Sequence, residues 1–262
     1  SKTTSMGLAI ASVAKGDANA VVSAGNSGAL LAMSIFGLRK LSGISRPALA
    51  AVMPTISGEV VALDLGANID CSSQNLIDFS VMGIVFAQNV LGRPKPRVAF
   101  LNVGEEDNKG NSIIHEASRV MKESHFADFY KGYVEGDKVI SGNFDVVVCD
   151  GFSGNVMLKT AEGTAKLCSE YLKQVFSSSI LGKISYAIGK SSFLGIRKKM
   201  DPRKHNGAVL LGLNGIVVKS HGGTDSIGFA HAVDLATEMS VGNYNELIKN
   251  ELDKLKLVVD KK

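Results

Sequence analysis

The chain has 262 residues, 45% of them hydrophobic and 21% charged, with a net charge of +4. That balance excludes a disordered chain, and the length is ample for a buried core in one large domain or two small ones. With no Trp, few aromatics and 28 Gly, the composition suits an Ala/Gly/Val-rich α/β sheet better than a β-sandwich.

Short apolar runs predict strands near residues 20–23, 49–54, 60–64, 98–103, 129–134, 146–149 and 216–219, separated by helical patterns. This β–α alternation predicts an α/β fold with a largely parallel sheet flanked by helices, organised as a single domain over 1–262. Four of the strands run into glycine-bearing loops: Ser23-Ala24-Gly25-Asn26-Ser27-Gly28, Asp64-Leu65-Gly66-Ala67-Asn68, Asn102-Val103-Gly104 running on to Lys109-Gly110-Asn111, and Asp150-Gly151-Phe152-Ser153-Gly154-Asn155. Glycine there lets backbone N–H groups turn toward one point at a helix start, where the dipole favours an anion. The expectation is that the four converge on one sheet edge.

The clearest helix spans about 155–176. Met157, Ala161, Ala165, Cys168, Leu172 and Val175 share one face, and Lys159, Glu162, Lys166, Glu170 and Lys173 the other. Cys168 is therefore expected in the core, and Asn155 is expected to open the helix as its N-cap or to present a catalytic amide. The segment 177–204 differs in kind. Lys183, Lys190, Arg197, Lys198, Lys199, Arg203 and Lys204 against Asp201 give it +6, among scattered apolar residues such as Ile180, Leu181, Ile184 and Ile188. It is expected to form a basic, amphipathic helical segment, or more plainly a solvated helical hairpin, that Asp201-Pro202 ends, with Gly207, Gly212 and Gly215 marking tight turns. Little aromatic interleaving and a slightly acidic remainder speak against nucleic acid. Docking to an anionic membrane or to an acidic protein fits better. Cys71, Cys149 and Cys168 are odd in number without metal-ligand spacing, which fits a reduced, cytoplasmic setting; Cys149, in mid-strand, reads as a buried small hydrophobe. No secretory leader, membrane span, metal or cofactor is expected.

In these loops the chain closely resembles the bacterial acyl-carrier-protein-dependent phosphate acyltransferase family (PlsX). The resemblance lies in VSAGNSGAL at 22–30, LDLGANID at 63–70, LNVGEEDNKGN at 101–111, DVVVCDGFSGNVMLKT at 145–160 and GAVLLGLNGIVVKSHG at 207–222. Shorter matches are Arg46-Pro47-Ala48, Met82-Gly83 and Val134-Glu135-Gly136. Two departures stand out. The family's N-terminal segment with its own Gly-Gly-Asp loop has no counterpart here, and Tyr133 replaces a usual Asn. The resemblance implies a homodimer related in fold to phosphotransacetylases and isopropylmalate-type dehydrogenases. It implies transfer of a long-chain acyl group from acyl-acyl carrier protein to inorganic phosphate, and a peripheral place at the membrane beside a glycerol-phosphate acyltransferase.

Such a reaction needs placement more than acid–base power. Phosphate is already an anion near neutral pH, and a thiol of pKa roughly 8.5 leaves readily. Direct displacement fits a chain without a nucleophile motif. The catalytic candidates are Lys109 for charge, Asn155 for an amide, and His221 to protonate the thiolate; a solvated lysine, a helix cap and a structural His are the plainer readings of each. Phosphate or substrate contacts are expected from Ser23, Asn26, Ser27, Gly28, Gly66, Asn68, Gly110, Asn111, Ser153 and Gly154, residues that turns and caps also use. Asp64 and Asp150 are expected to cap helices or pair with lysine, because a bare carboxylate repels phosphate. An acyl-CoA-dependent phosphotransacylase and a catalytically silent membrane scaffold remain as alternatives.

Overall fold

The computed structural model describes residues 3–199 and 201–259. Eight strands, β1 (Ala20–Ser23), β2 (Ala48–Thr55), β3 (Gly58–Leu63), β4 (Val98–Leu101), β5 (Tyr130–Val134), β6 (Val146–Val148), β7 (Ala208–Leu211) and β8 (Ile216–Lys219), form one sheet. Their order is β1-β8-β7-β2-β3-β6-β4-β5. The half β3-β6-β4-β5 is parallel throughout, and β1 pairs parallel with β8. β2 runs antiparallel to both its neighbours, and β7 antiparallel to β8. The sheet is thus mixed but mostly parallel, as the alternation predicts.

β7 is the strand that the local pattern hides. Gly207 and Gly212 bracket its four residues, and both take positive φ (134° and 87°). They read as turns, yet Val209, Leu210 and Leu211 between them are buried in the sheet.

The helices α1 (Ser5–Lys15), α2 (Ser27–Leu38) and α5 (Gly151–Ser177) cover one sheet face. The helices α3 (Ser73–Val90), α4 (Ser112–Glu123), α7 (Ser226–Val241) and α8 (Tyr244–Val259) cover the other. Alternation along the strands divides the core accordingly: Val61 and Leu63 of β3 face α3, and Val60 and Ala62 face α5. α3 is buried nearly all round, so its start is fixed from within. Ser72 and Asn75 form a reciprocal capping box.

α5 is followed by α6 (Ile180–Lys199), which packs back against it to make a helical hairpin; the basic segment is thus one α-helix and the hairpin's second arm. Only the first part of α5 rests on the sheet, through Met157, Leu158 and Ala161. Beyond that it extends past the core, so Leu172 and Val175 are 54% and 62% exposed and Cys168 is exposed instead of buried. The apolar stripe is real, but no part of this chain covers its far half among the described residues.

Candidate functional site

Asp64 organises the site. It follows β3 directly and is fully buried, with four hydrogen bonds converging on its carboxylate. Oδ1 accepts from the Leu49 and Ala67 N–H groups at 2.9 and 3.0 Å. Oδ2 accepts from the Asn68 N–H and side-chain amide at 2.7 and 2.8 Å. Burial pushes its pKa up against the opposing pull of these bonds. The role is neither cap nor lysine partner: Asp64 shapes the 64–68 loop. Asn68 is spent in the same task, since its amide also donates to the Pro47 carbonyl at 2.7 Å. Its side-chain donors therefore brace the loop instead of facing a ligand.

α5 docks onto that loop through its two first-turn glycines. The Gly151 N–H donates to the Asn68 carbonyl at 2.7 Å, and a Cβ on Gly151 would stand 2.5 Å from that oxygen. A Cβ on Gly154 would overlap the Asp64 carbonyl. The N-cap is Asp150, which accepts from the Ser153 N–H and hydroxyl, both at 2.8 Å. Asn155 is therefore not the cap. It lies one turn in, exposed, with its side chain against Gly66, where a Cβ would stand 3.4 Å from the Asn155 Cβ. Gly66 has φ 121°, a conformation that favours glycine.

Two cavities meet this arrangement. The larger, about 470 Å³, opens at the C-terminal ends of β4 and β6. Ile69, Leu76, Phe100, Ile113, Ile114 and Phe152 make most of its wall, with Asp70, Asn111, Asp150 and Ser153 as its polar groups. Asn111 caps α4, accepting from the Ile114 N–H at 3.0 Å. The smaller cavity lies on the α2/α5 face of the sheet, between Ser27 and Gly28 at the start of α2 and Gly66 and Ala67. Leu49 and Leu210 form its floor, and Lys219 lines it. The 64–70 loop stands between the two, Gly66 lining one and Ile69 the other.

The four loops do not leave one sheet edge. Those after β3, β4 and β6 do, but β1 runs opposite to β3, so the Ser23–Gly28 loop leaves in the other direction. It joins the site because α2 begins over the sheet face. Asn26 caps α2, accepting from the Ala29 N–H at 3.0 Å, and Ser23 accepts from the Gly25 N–H at 3.2 Å. The Ser23 carbonyl also binds the Ser220 N–H at 2.9 Å, which brings the His221 loop alongside. His221 is exposed. Its Nδ1 accepts from the Gly223 N–H at 3.1 Å, which leaves the proton of the neutral ring on Nε2.

Lys109 lines neither cavity. It is exposed on the loop after β4, its stem folded over Gly104, and the buried Asn102 amide donates to its carbonyl at 2.9 Å. Gly110, at φ 101°, lets the chain pass that amide. Neither Lys159 nor Lys219 has a local signal; the topology alone brings these two lysines together, close enough for Lys159 to act on Lys219 electrostatically. Cys149 is buried as expected, and burial raises its thiol pKa, as it raises that of Cys71 to about 11. Neither is a ready thiolate. Tyr133 is buried, its hydroxyl 3.3 Å from His115 Nδ1.

In the basic segment Lys183, Lys190 and Lys204 are exposed. Arg203 is tied down by Asp201 at 2.7 Å and Asp225 at 2.9 Å, so it is not a free docking cation. The side chains of Arg197, Lys198 and Lys199 lie outside the described residues. No helix among the described residues is long and apolar enough to cross a membrane.

This mixed sheet with a glycine-loop cleft has the fold of the phosphotransacetylases. A Streptococcus pyogenes phosphotransacetylase superposes with a TM-score of 0.59 at 19% identity, covering 88% of this chain and 66% of its own. A branched-chain phosphotransacylase from Enterococcus faecalis gives 0.56 at 16% identity, covering 89% and 78%. At such identities the likeness is one of fold.

Sequence relatives narrow the class. The profile of the fatty acid synthesis protein family matches residues 1–247. The phosphate acyltransferase of Paramagnetospirillum magneticum is 52% identical over 252 residues, 96% of this chain and 72% of the relative. That of Rhodospirillum centenum is 51% identical over 259 residues, 99% and 73%. The chain belongs to the phosphate acyltransferase family, a family of acyltransferases.

Proposed function

We propose that the protein transfers a long-chain acyl group from acyl-acyl carrier protein to inorganic phosphate in one displacement. The observation that carries this is the place of Asn155, set against Gly66 on the loop that stands between the two cavities. The apolar cavity suits the acyl thioester, and its Asp70 and Asp150 carboxylates disfavour phosphate. The smaller cavity offers phosphate the start of α2.

A phosphate oxygen attacks the thioester carbon as the C–S bond breaks. The electron pair leaves on sulfur, and the proton carried by the phosphate monoanion or dianion ends on that thiolate. The Asn155 amide donates to the carbonyl oxygen as charge develops there. His221 relays the proton through Nε2. Lys109, exposed on the loop after β4, attracts the anionic substrates, while Ser23, Asn26, Gly110, Asn111, Ser153 and Gly154 fix the loops that hold them. The fold supports this division because none of these steps needs a covalent intermediate, and both cysteines beside the cleft are held as thiols.

The α5–α6 hairpin serves docking. Leu167, Tyr171, Leu172 and Val175 on α5 and Ile180, Leu181, Ile184 and Ile188 on α6 are exposed beside Lys183 and Lys190. We assign this surface to a second copy of the chain near its base, and to the acidic carrier or an anionic membrane toward its tip, at a peripheral, cytoplasmic position. Turnover of palmitoyl-acyl carrier protein and of palmitoyl-CoA, each with and without phosphate, tests the reading. Phosphate-dependent release preferring the carrier-bound substrate supports it; equal or better turnover of the CoA thioester favours the phosphotransacylase alternative.

A further inference from the structure

Lys219, the last residue of β8, is a half-buried cation with no opposite charge beside it among the described residues. It lines the small cavity with Ser27, Gly28, Gly66 and Ala67, and its ammonium donates to the Ser220 carbonyl. Among the described residues it takes part in no ion pair; the charge that acts on it is that of another cation, Lys159. Lys159 in turn reaches Glu162 at 2.8 Å, on its own helix. Two ammonium groups brought together with one carboxylate, and that one on the outer side, repel each other across the cleft. Burial and this repulsion together hold Lys219 below the usual lysine range.

The opposite wall adds to the positive field. The first four N–H groups of a helix lack partners within it. At the start of α2 the Asn26 side chain satisfies Ala29 and the Asn26 carbonyl satisfies Leu30. The N–H groups of Ser27 and Gly28 are left for the cavity they line. The Lys219 ammonium and two amides around one small space fit a compact oxyanion with several acceptor oxygens.

We propose that Lys219, with Lys159 behind it, is the cationic anchor for inorganic phosphate, holding it between β8 and the start of α2 for attack past Gly66. This rests on the acyl transfer to phosphate proposed above. It gives phosphate a site distinct from the exposed loop lysine Lys109.

The test is Lys219→Met, which keeps the stem that lines the cavity and removes the charge. Initial rates are measured against phosphate and against palmitoyl-acyl carrier protein, with calorimetric titration of inorganic phosphate in parallel. The KM for phosphate is expected to rise roughly tenfold or more, the cost of one charged hydrogen bond. The KM for the thioester should stay within about twofold. Lys219→Arg should recover much of the phosphate affinity, and Lys159→Met should show a smaller loss. Lys95→Met, on an exposed loop before β4, should leave every constant unchanged. A folded Lys219→Met protein with wild-type phosphate KM overturns the anchor. Should Lys219→Met not fold, Lys159→Met carries the test, and an unchanged phosphate KM there overturns the pairing. Should the wild type release no thiol, the acyl-transfer reading fails, and calorimetry decides the lysine alone. Phosphate binding lost in Lys219→Met supports it; equal binding in both, or none in the wild type, overturns it.

Discussion

Gly154 of α5 lies against the backbone carbonyl of Asp64, with no room between them for a methyl group. The contact closes a seam in which the Asp64 N–H also donates to the Cys149 carbonyl at 3.0 Å and the Cys149 N–H to the Leu63 carbonyl at 2.7 Å. The start of α5, and with it Asn155, is placed by this seam. Gly154→Ala should therefore push α5 off the loop, at a cost of about 1–3 kcal/mol. Thermal denaturation reads the loss, and turnover should fall by more than stability alone explains. A variant as stable and active as the wild type would show that α5 is free to shift.

Asn155 is exposed and makes no capping bond, so removing its amide should spare the fold. Asn155→Ala is expected to lower kcat by about 10²–10³-fold, the usual cost of one oxyanion donor. Melting temperature should be unchanged and phosphate affinity nearly so. A kcat near wild type would remove the amide from the reaction.

Asp145 gives a pH signature away from the site. It is buried and accepts from Arg97 at three places, the N–H at 2.8 Å, Nε at 2.9 Å and a terminal nitrogen at 3.1 Å. Burial alone would raise its pKa, but the Arg97 bonds outweigh it and hold the carboxyl below the ordinary range. A depressed carboxylate contributes stability above its unfolded pKa and loses it as pH falls through the folded value. Asp145→Asn should cost about 2 kcal/mol at neutral pH. The gap to wild type should close as pH drops from about 5 toward 3. Denaturant midpoints measured across that range check it; a gap independent of pH would contradict the assignment.

The hairpin prediction concerns charge at its exposed end. Reversing Lys183 and Lys190 together to Glu should weaken binding to phosphatidylglycerol-containing vesicles by about tenfold or more, since each basic residue near such a surface contributes about 1 kcal/mol. Turnover of a soluble acyl donor should change less. Sedimentation with vesicles measures the first, and equal sedimentation of variant and wild type would move the membrane contact elsewhere.

Much of this site was legible in the chain because its glycines and caps are local. Asn26, Asn111 and Asp150 cap helices that follow strands, and a loop before an amphipathic run announces them. What stayed hidden depends on partners distant in sequence. Gly151 and Gly154 obscured the true start of α5, and the reason for both is the 64–68 loop more than eighty residues earlier. Asn68 looks like a ligand for phosphate, and Asp64 like a helix cap or a lysine's partner, until the loop closes around them. Cys168 sits on a genuine apolar stripe, but periodicity reports the stripe and not what covers it. Lys219 is one lysine ending one strand; its neighbours come from α2, the Gly66 loop and α5. The reversal of β1, which sends its loop to the sheet face and not to the common edge, follows from pairings that no strand records by itself.

The most direct test of acyl transfer to phosphate is free-thiol release from palmitoyl-acyl carrier protein with and without phosphate, trapping product with hydroxylamine. The account predicts release only with phosphate, in step with trapped acyl hydroxamate, and no exchange of labelled carrier protein into substrate when phosphate is absent. Phosphate-independent release or exchange would point to an acyl-enzyme and contradict direct displacement. No release at all from folded protein would contradict the reaction itself.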